Sequence, residues 1–196
     1  SWCDAILCYG SFLQPAGARP ATHIPWHNSA YRREILLSFG DRLDFLLQAD
    51  SALQSALARQ GYRFSMAAQA STEHWNSSVL RHQLIALFWG NRLYAANRAT
   101  LDNWGFPRRL LYAISWPAIA ALRLWRACRI CFSLGDRRLR YSTLLPVLAA
   151  GACVAAAGEA CGHLFGLGPH TLRRRCHYEL NRTLHVTPSE VAMLAE

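Results

Sequence analysis

From Leu144 to Ala157 the chain runs fourteen residues that are almost entirely apolar, with one proline and no charge. Such a run must leave water, either into a protein core or into a bilayer. A membrane-spanning helix needs about 20 apolar residues, and the segment reaches that length only by continuing through Gly158-Glu159-Ala160-Cys161-Gly162-His163 to Leu167. Its Ala, Gly and Cys residues permit close approach of another helix. Glu159 and His163 stand four apart and share a helix face. Ionisable groups buried at that spacing are costly and usually paired. Two arrangements follow: a helical hairpin associated with a membrane, or a hairpin packed on the domain.

The preceding segment bears on that choice. Leu110 to Leu122 is apolar apart from Ser115 and has Pro117 inside it, and Arg123, Arg126 and Arg129 then recur at three-residue spacing beside Leu124, Trp125, Ile130 and Phe132. This pattern predicts an interfacial amphipathic helix with Trp116 and Trp125 at headgroup level. Charge is distributed accordingly. The net charge is +9 and all 21 basic residues are arginine. Residues 1–103 hold nine Arg and seven acids, residues 104–182 hold twelve Arg and three acids, and residues 183–196 hold two acids. The basic excess lies in the most apolar part, which points to an anionic membrane surface. Nucleic acid is not expected as a partner, because no recognition motif or basic-aromatic module is present.

Upstream, Trp26-His27-Asn28-Ser29-Ala30-Tyr31-Arg32-Arg33-Glu34 reads as a polar loop entering a helix, capped by Asn28 or Ser29 and ended by Gly40. Pro15, Gly17, Pro20 and Pro25 mark residues 14–25 as loop. Asp50 stands before a second helix that stops at Gly61, with Leu53, Ala56 and Leu57 on its apolar face. A carboxylate there is held ionised by the helix dipole. That suits an N-cap and equally a general base. Residues 5–13 read as a short strand or a helix end, Tyr62–Met66 as a short strand, and Glu73–Asn76 as a polar aromatic loop. Residues 78–99 read as a strong amphipathic helix that Gly90 loosens, and Trp104–Pro107 breaks the pattern. A capping box at Thr187–Glu190 predicts a last helix over 189–194.

Seven cysteines are scattered, and Cys128–Cys131 is a lone CxxC without the second pair a structural zinc site needs. They read as small hydrophobes in a reducing compartment. Ser1-Trp2-Cys3-Asp4 lacks the basic start of a signal peptide. The chain begins without Met, which suggests a piece of a longer protein.

The segment Ile24 to Glu34 resembles the P-G-x-N-x-A-Y-R-R-E segment of inverting family-2 glycosyltransferases. The likeness continues in order through Asp50…Leu53…Leu57…Gly61, the Tyr62–Met66 strand, His74, Gly90-Asn91-Arg92, and Gly158-Glu159-Ala160-Cys161-Gly162-His163-Leu164-Phe165-Gly166, which is similar to a G-E-x-x-G-[YH]-x-x-G element. It spans most of residues 5–168. The nucleotide-binding βαβ half and its Asp-x-Asp are absent from this chain, Trp26 stands where the family has Gly, and Ala49-Asp50 stands where it has Glu-Asp.

The resemblance implies an α/β parent fold of the GT-A type. This chain would be its acceptor-side part: mostly α with one or two short strands, plus the C-terminal helical hairpin. The implied organisation is 1–103 transferase half-domain, 104–168 apolar and basic membrane-associated region, and 169–196 polar tail. The implied activity moves a sugar from a nucleotide-sugar to a lipid-linked or polysaccharide acceptor at the cytoplasmic face of the cell membrane, with a divalent metal, Mg or Mn. Asp50 would be the catalytic base, His74 a metal or diphosphate contact, and Trp26, Asn28, Arg32, Arg33 and Trp75 substrate-binding residues. Inverting transfer needs one carboxylate to take the acceptor proton and cations to meet the departing diphosphate. The same residues also have plainer readings: Asp50 as N-cap, His74 and the arginines as solvated surface, and the tryptophans as packing. A non-catalytic membrane-peripheral module is the alternative for the chain as a whole.

Overall fold

The computed structural model describes residues 2–13, 19–25, 28–67, 69–70, 76–135 and 141–188. In chain order these form α1 (Trp2–Tyr9), β1 (Arg19–Ala21), α2 (Arg33–Leu37), α3 (Leu43–Leu46), α4 (Asp50–Arg59), β2 (Phe64–Met66), α5 (Leu80–Leu101), α6 (Phe106–Ile114), α7 (Trp116–Leu134), α8 (Tyr141–Phe165) and α9 (Thr171–Leu180). Among the described residues the protein is mostly helical with two short strands, as the sequence predicts. It divides into two compact units, residues 14–73 and residues 1–13 with 74–196. The division into 1–103, 104–168 and 169–196 does not coincide with these units. Helix α5 and the apolar hairpin after it share one interior, so no unit boundary falls near residue 103.

In the larger unit α8 is the central helix. It lies against α5, α6, α7 and α1, and α9 lies on α5. Small residues make this possible. Gly158 and Gly162 face the backbone of α5 at Phe88 and Arg92, and a side chain at either position would hold the helices apart. Beyond them, Gly151 faces Leu7 and Leu87. Cys3, Ile6, Ala127, Cys131 and Leu148 form an apolar cluster with Leu124, Ile130, Leu144 and Val147 around it. Cys131 is therefore core, and burial pushes the Cys3 thiol up to about 11. Gly90 does not interrupt α5, which is continuous over 22 residues.

Three distant segments meet at the start of α5. The Ser77 N–H donates to the buried Asp4 carboxylate at 2.9 Å, and its hydroxyl donates to the His185 carbonyl at 3.1 Å. The Ser78 N–H donates to the same carbonyl at 3.0 Å. A backbone carbonyl from the tail thus satisfies amides that precede α5, where no side-chain cap is present.

Residues 2–9 are helix. Pro117 falls in the first turn of α7, where its missing N–H costs nothing, so the apolar run 110–122 splits at Ser115 into α6 and α7. The expected terminal helix over 189–194 lies outside the described residues.

In the smaller unit β1 and β2 pair antiparallel in the register Arg19↔Met66, Pro20↔Ser65 and Ala21↔Phe64. Residues 19–21, expected as loop, are a strand. Among the described residues the sheet has two strands, so Pro20 lies on an edge strand, where its missing donor is tolerated. Helix α4 runs from Asp50 to Arg59 and stops before Gly61 at φ +85°, as expected.

Candidate functional site

The residues singled out from sequence fall chiefly in the 14–73 unit. Asn28 does not cap a helix, and neither does Ser29. The Asn28 N–H donates to the Pro25 carbonyl at 3.4 Å, and its side-chain amide donates to the Ala70 carbonyl at 3.4 Å. Helix α2 begins only at Arg33, after an extended Arg32 (φ −66°, ψ +128°) that supplies no side-chain cap. It ends at Leu37, and Gly40, with φ +54°, opens a separate 3-10 turn. The Ser38 hydroxyl donates to the Ile35 carbonyl at 2.7 Å, a local bond that competes with helix continuation. Arg32 and Arg33 are both exposed, so their guanidinium groups face solvent. Asp50 is the first helical residue of α4, with Ala49 at the cap position. The Asp50 side chain lies outside what is described, as do Trp26, His74 and Trp75.

One residue missed in the sequence reading organises this region. Gln54 is buried, one turn after Asp50 on α4. Its Nε2 donates to the Ile24 carbonyl at 2.8 Å, and its Oε1 accepts from the Ile24 N–H at 3.2 Å. This reciprocal pair fastens the chain just before the Trp26–Glu34 segment to the helix that Asp50 opens. A polar residue on the apolar side of a helical pattern was the available signal. Gln54→Leu should strand both Ile24 backbone groups and destabilise this unit by about 1–3 kcal/mol. Amide exchange at Ile24, faster in the variant while α5 amides are unchanged, is the measurement.

The larger unit holds a second polar constellation. The Arg123 Nη2 donates to Asn91 Oδ1 at 2.7 Å and to Glu159 Oε2 at 2.8 Å. Asn91 is oriented by its own amide, which donates to the Leu87 carbonyl at 2.8 Å. Glu159 is buried, and His163, buried completely, places its Nε2 3.9 Å from the other Glu159 oxygen. Burial alone would raise the Glu159 pKa. His163 and the Arg123 guanidinium outweigh it, so the carboxyl is held below its ordinary value. The His163 ring stacks on Trp104 (centroids 5.2 Å apart, planes at 16°) and lies 5.4 Å from Tyr112. Arg98 and Arg108 place guanidinium groups 4.9 and 4.1 Å from the Trp104 centroid. Glu159 is only 5% exposed and His163 is fully buried, so neither offers a substrate an open face. Glu159 and Arg123 form a pinned ion pair.

These contacts join the segments around Gly90-Asn91-Arg92 and Gly158–Gly166. The Arg92 Nε donates to the Gly166 carbonyl at 2.9 Å, beside the Asn91–Arg123–Glu159 chain. Among the described residues no group of three or more His, Cys, Asp or Glu side chains converges as a metal site requires.

No protein-family model, no curated protein and no solved structure matches the chain.

Proposed function

We propose that the chain is the acceptor-side part of an inverting glycosyltransferase, which moves a sugar from a nucleotide-sugar to a lipid-linked or polysaccharide acceptor at the cytoplasmic membrane face. The ordered segments from Ile24 to Gly166 support this reading. The observation that carries it is the Gln54–Ile24 pair, which holds Ile24, ahead of the Asn28–Arg33 segment, on the helix opened by Asp50 within one compact unit.

In the proposed reaction the acceptor hydroxyl oxygen attacks the anomeric carbon and the bond to the nucleoside diphosphate breaks. The acceptor proton passes to Asp50, and Arg32 and Arg33 meet the charge on the departing diphosphate. Asn28, Trp26 and Trp75 would hold sugar. The metal, Mg or Mn, would take His74 from this chain, and no step here depends on it.

Transfer of labelled sugar to lipid acceptors by the intact protein is the test. Asp50→Asn should lower it about a hundredfold with little change in donor binding. Full activity in that variant would remove Asp50 from the role, and absence of both transfer and nucleotide-sugar binding would overturn the reading. A non-catalytic membrane-peripheral module is the second reading, favoured by the exposed apolar surface of α6 and α7.

A further inference from the structure

Helices α6 and α7 bury small residues and expose large ones. Their inner sides are Ala113, Ala120, Ala127 and Cys131, packed toward α8. Their outer sides carry Phe106 (68% exposed), Leu111, Ile114, Trp125 and Phe132 (73% exposed). Phe106, Leu110 and Ile114 recur every fourth residue of α6, and Leu122, Trp125, Arg129 and Phe132 follow helical spacing on α7, so each set forms one stripe. Large side chains turned outward over small ones turned inward are the reverse of an ordinary surface helix.

Within the two helices the charge is of one sign, between Asp102 on one side and Asp136 on the other. From Asn103 to Gly135 the chain has five arginines and no acid. Arg108, Arg126 and Arg129 are exposed, and the Arg129 guanidinium lies 5.0 Å from the Trp125 ring centroid. Arg123 turns inward to Glu159. Helix α8 is long and apolar enough to cross a bilayer. However, its inner side, with Gly151, Ala155, Gly158 and Gly162, lies against α1, α5, α6 and α7, and Glu159 and His163 on that side are buried inside the unit, while Leu145, Leu164 and Phe165 stay exposed.

We propose that the outer face of α6 and α7 lies in the headgroup region of an anionic phospholipid leaflet as a monotopic attachment, while α8 remains a core helix and does not span. Phe106, Leu111, Ile114, Trp125 and Phe132 enter the acyl boundary. Arg108, Arg126 and Arg129 reach back to lipid phosphates, as long cationic side chains do. A second copy on this face would set arginines against arginines, which disfavours self-association. An anionic lipid surface satisfies both the apolar stripes and their cationic border. The inference rests on the membrane-surface part of the reading above and is independent of sugar transfer.

The test is flotation of the intact protein with vesicles of phosphatidylcholine alone and of phosphatidylcholine mixed with phosphatidylglycerol. The expected result is binding at least about tenfold tighter to the anionic vesicles, weakening as salt rises. Arg126→Gln and Arg129→Gln should each weaken it about fivefold. Ile114→Ser with Phe132→Ser should abolish it, and all four residues are exposed enough for folding to persist. Alkaline carbonate should release the protein from vesicles. Equal binding to both vesicle types, retention after carbonate, or a soluble dimer that Phe132→Ser dissociates would each overturn the proposal. Transfer measured in detergent reads the sugar chemistry alone. Lost vesicle binding with intact transfer would therefore overturn only this inference, and the converse only the transferase reading.

Discussion

Gly158→Ala, a substitution that helix propensity alone would favour by about 1 kcal/mol, should instead destabilise the larger unit by about 3 kcal/mol. The added methyl would run into the Phe88 carbonyl, with the Phe88 Cα and carbonyl carbon at 3.0 Å. These are backbone atoms of α5, so no rotamer change relieves the clash. The helices must separate, and every contact along the α5–α8 seam weakens with them. Gly162→Ala should act similarly, because its methyl meets the Arg92 carbonyl and lies 2.8 Å from the Ala95 Cβ. In thermal unfolding each variant should melt about 10 °C lower. Gly90→Ala supplies the internal control. Its methyl would have only the Arg175 guanidinium at 3.5 Å as nearest neighbour, a flexible side-chain end at ordinary contact distance. That variant should be as stable as the parent or more so. A neutral Gly158→Ala would mean that the seam is looser than the close approach of α5 and α8 implies.

Arg123→Met should cost about 3 kcal/mol at neutral pH and change the sign of the acid response. The variant leaves the buried Glu159 carboxylate without its partner at 2.8 Å and strips Asn91 Oδ1 of its donor. In the parent protein Glu159 has a folded pKa below its unfolded value. Its contribution to stability is therefore fully present above the unfolded carboxylate value near about 4.3 and is lost as pH falls through the folded value. In Arg123→Met only His163 is left to offset burial, from 3.9 Å and without a hydrogen bond, so burial raises the folded pKa. Protonation then relieves the buried charge, and the Glu159 contribution becomes less unfavourable as pH falls. Denaturant unfolding between pH 7 and pH 4 would read the difference in slope. Arg123→Met with Glu159→Leu should recover much of the loss, because an apolar pair replaces the ion pair without leaving a lone charge. Equal losses in the single and double variants would mean that Arg123 contributes packing rather than charge.

Local chemistry made much of the secondary structure readable. Helix α4, its stop before Gly61, helix α5, the break at Trp104–Pro107 and the β2 strand follow from periodicity, glycine and proline. Structure departs from local pattern where a local signal has a competitor. Asn28 looked like a helix cap, but its amide reaches Ala70 across the unit. Pro20 looked like a loop marker, but a two-stranded sheet tolerates it. Gly90 looked like a weak point, yet α5 is continuous through it and lies against α8 and α9. For the candidate site, the sequence singled out Asn28, Arg32, Arg33 and Asp50 as residue types suited to the chemistry. Nothing in the spacing revealed Gln54 as the tie between the Ile24 segment and α4, because its partners are thirty residues away.

The sequence by itself determined that the run 144–157 is apolar enough to seek burial on at least one side, that Glu159 and His163 share a face, and that the basic excess accompanies the apolar half. Apolar periodicity and charge are properties of neighbours along the chain. Only the tertiary structure decided what covers each face. It placed Arg123 on Glu159, set Gly158 and Gly162 against the backbone of α5, and made α8 the centre of the larger unit. It also left the large side chains of α6 and α7 facing outward. A helical pattern states which side must be buried and is silent on its partner, because the partner is set by packing between segments far apart in sequence.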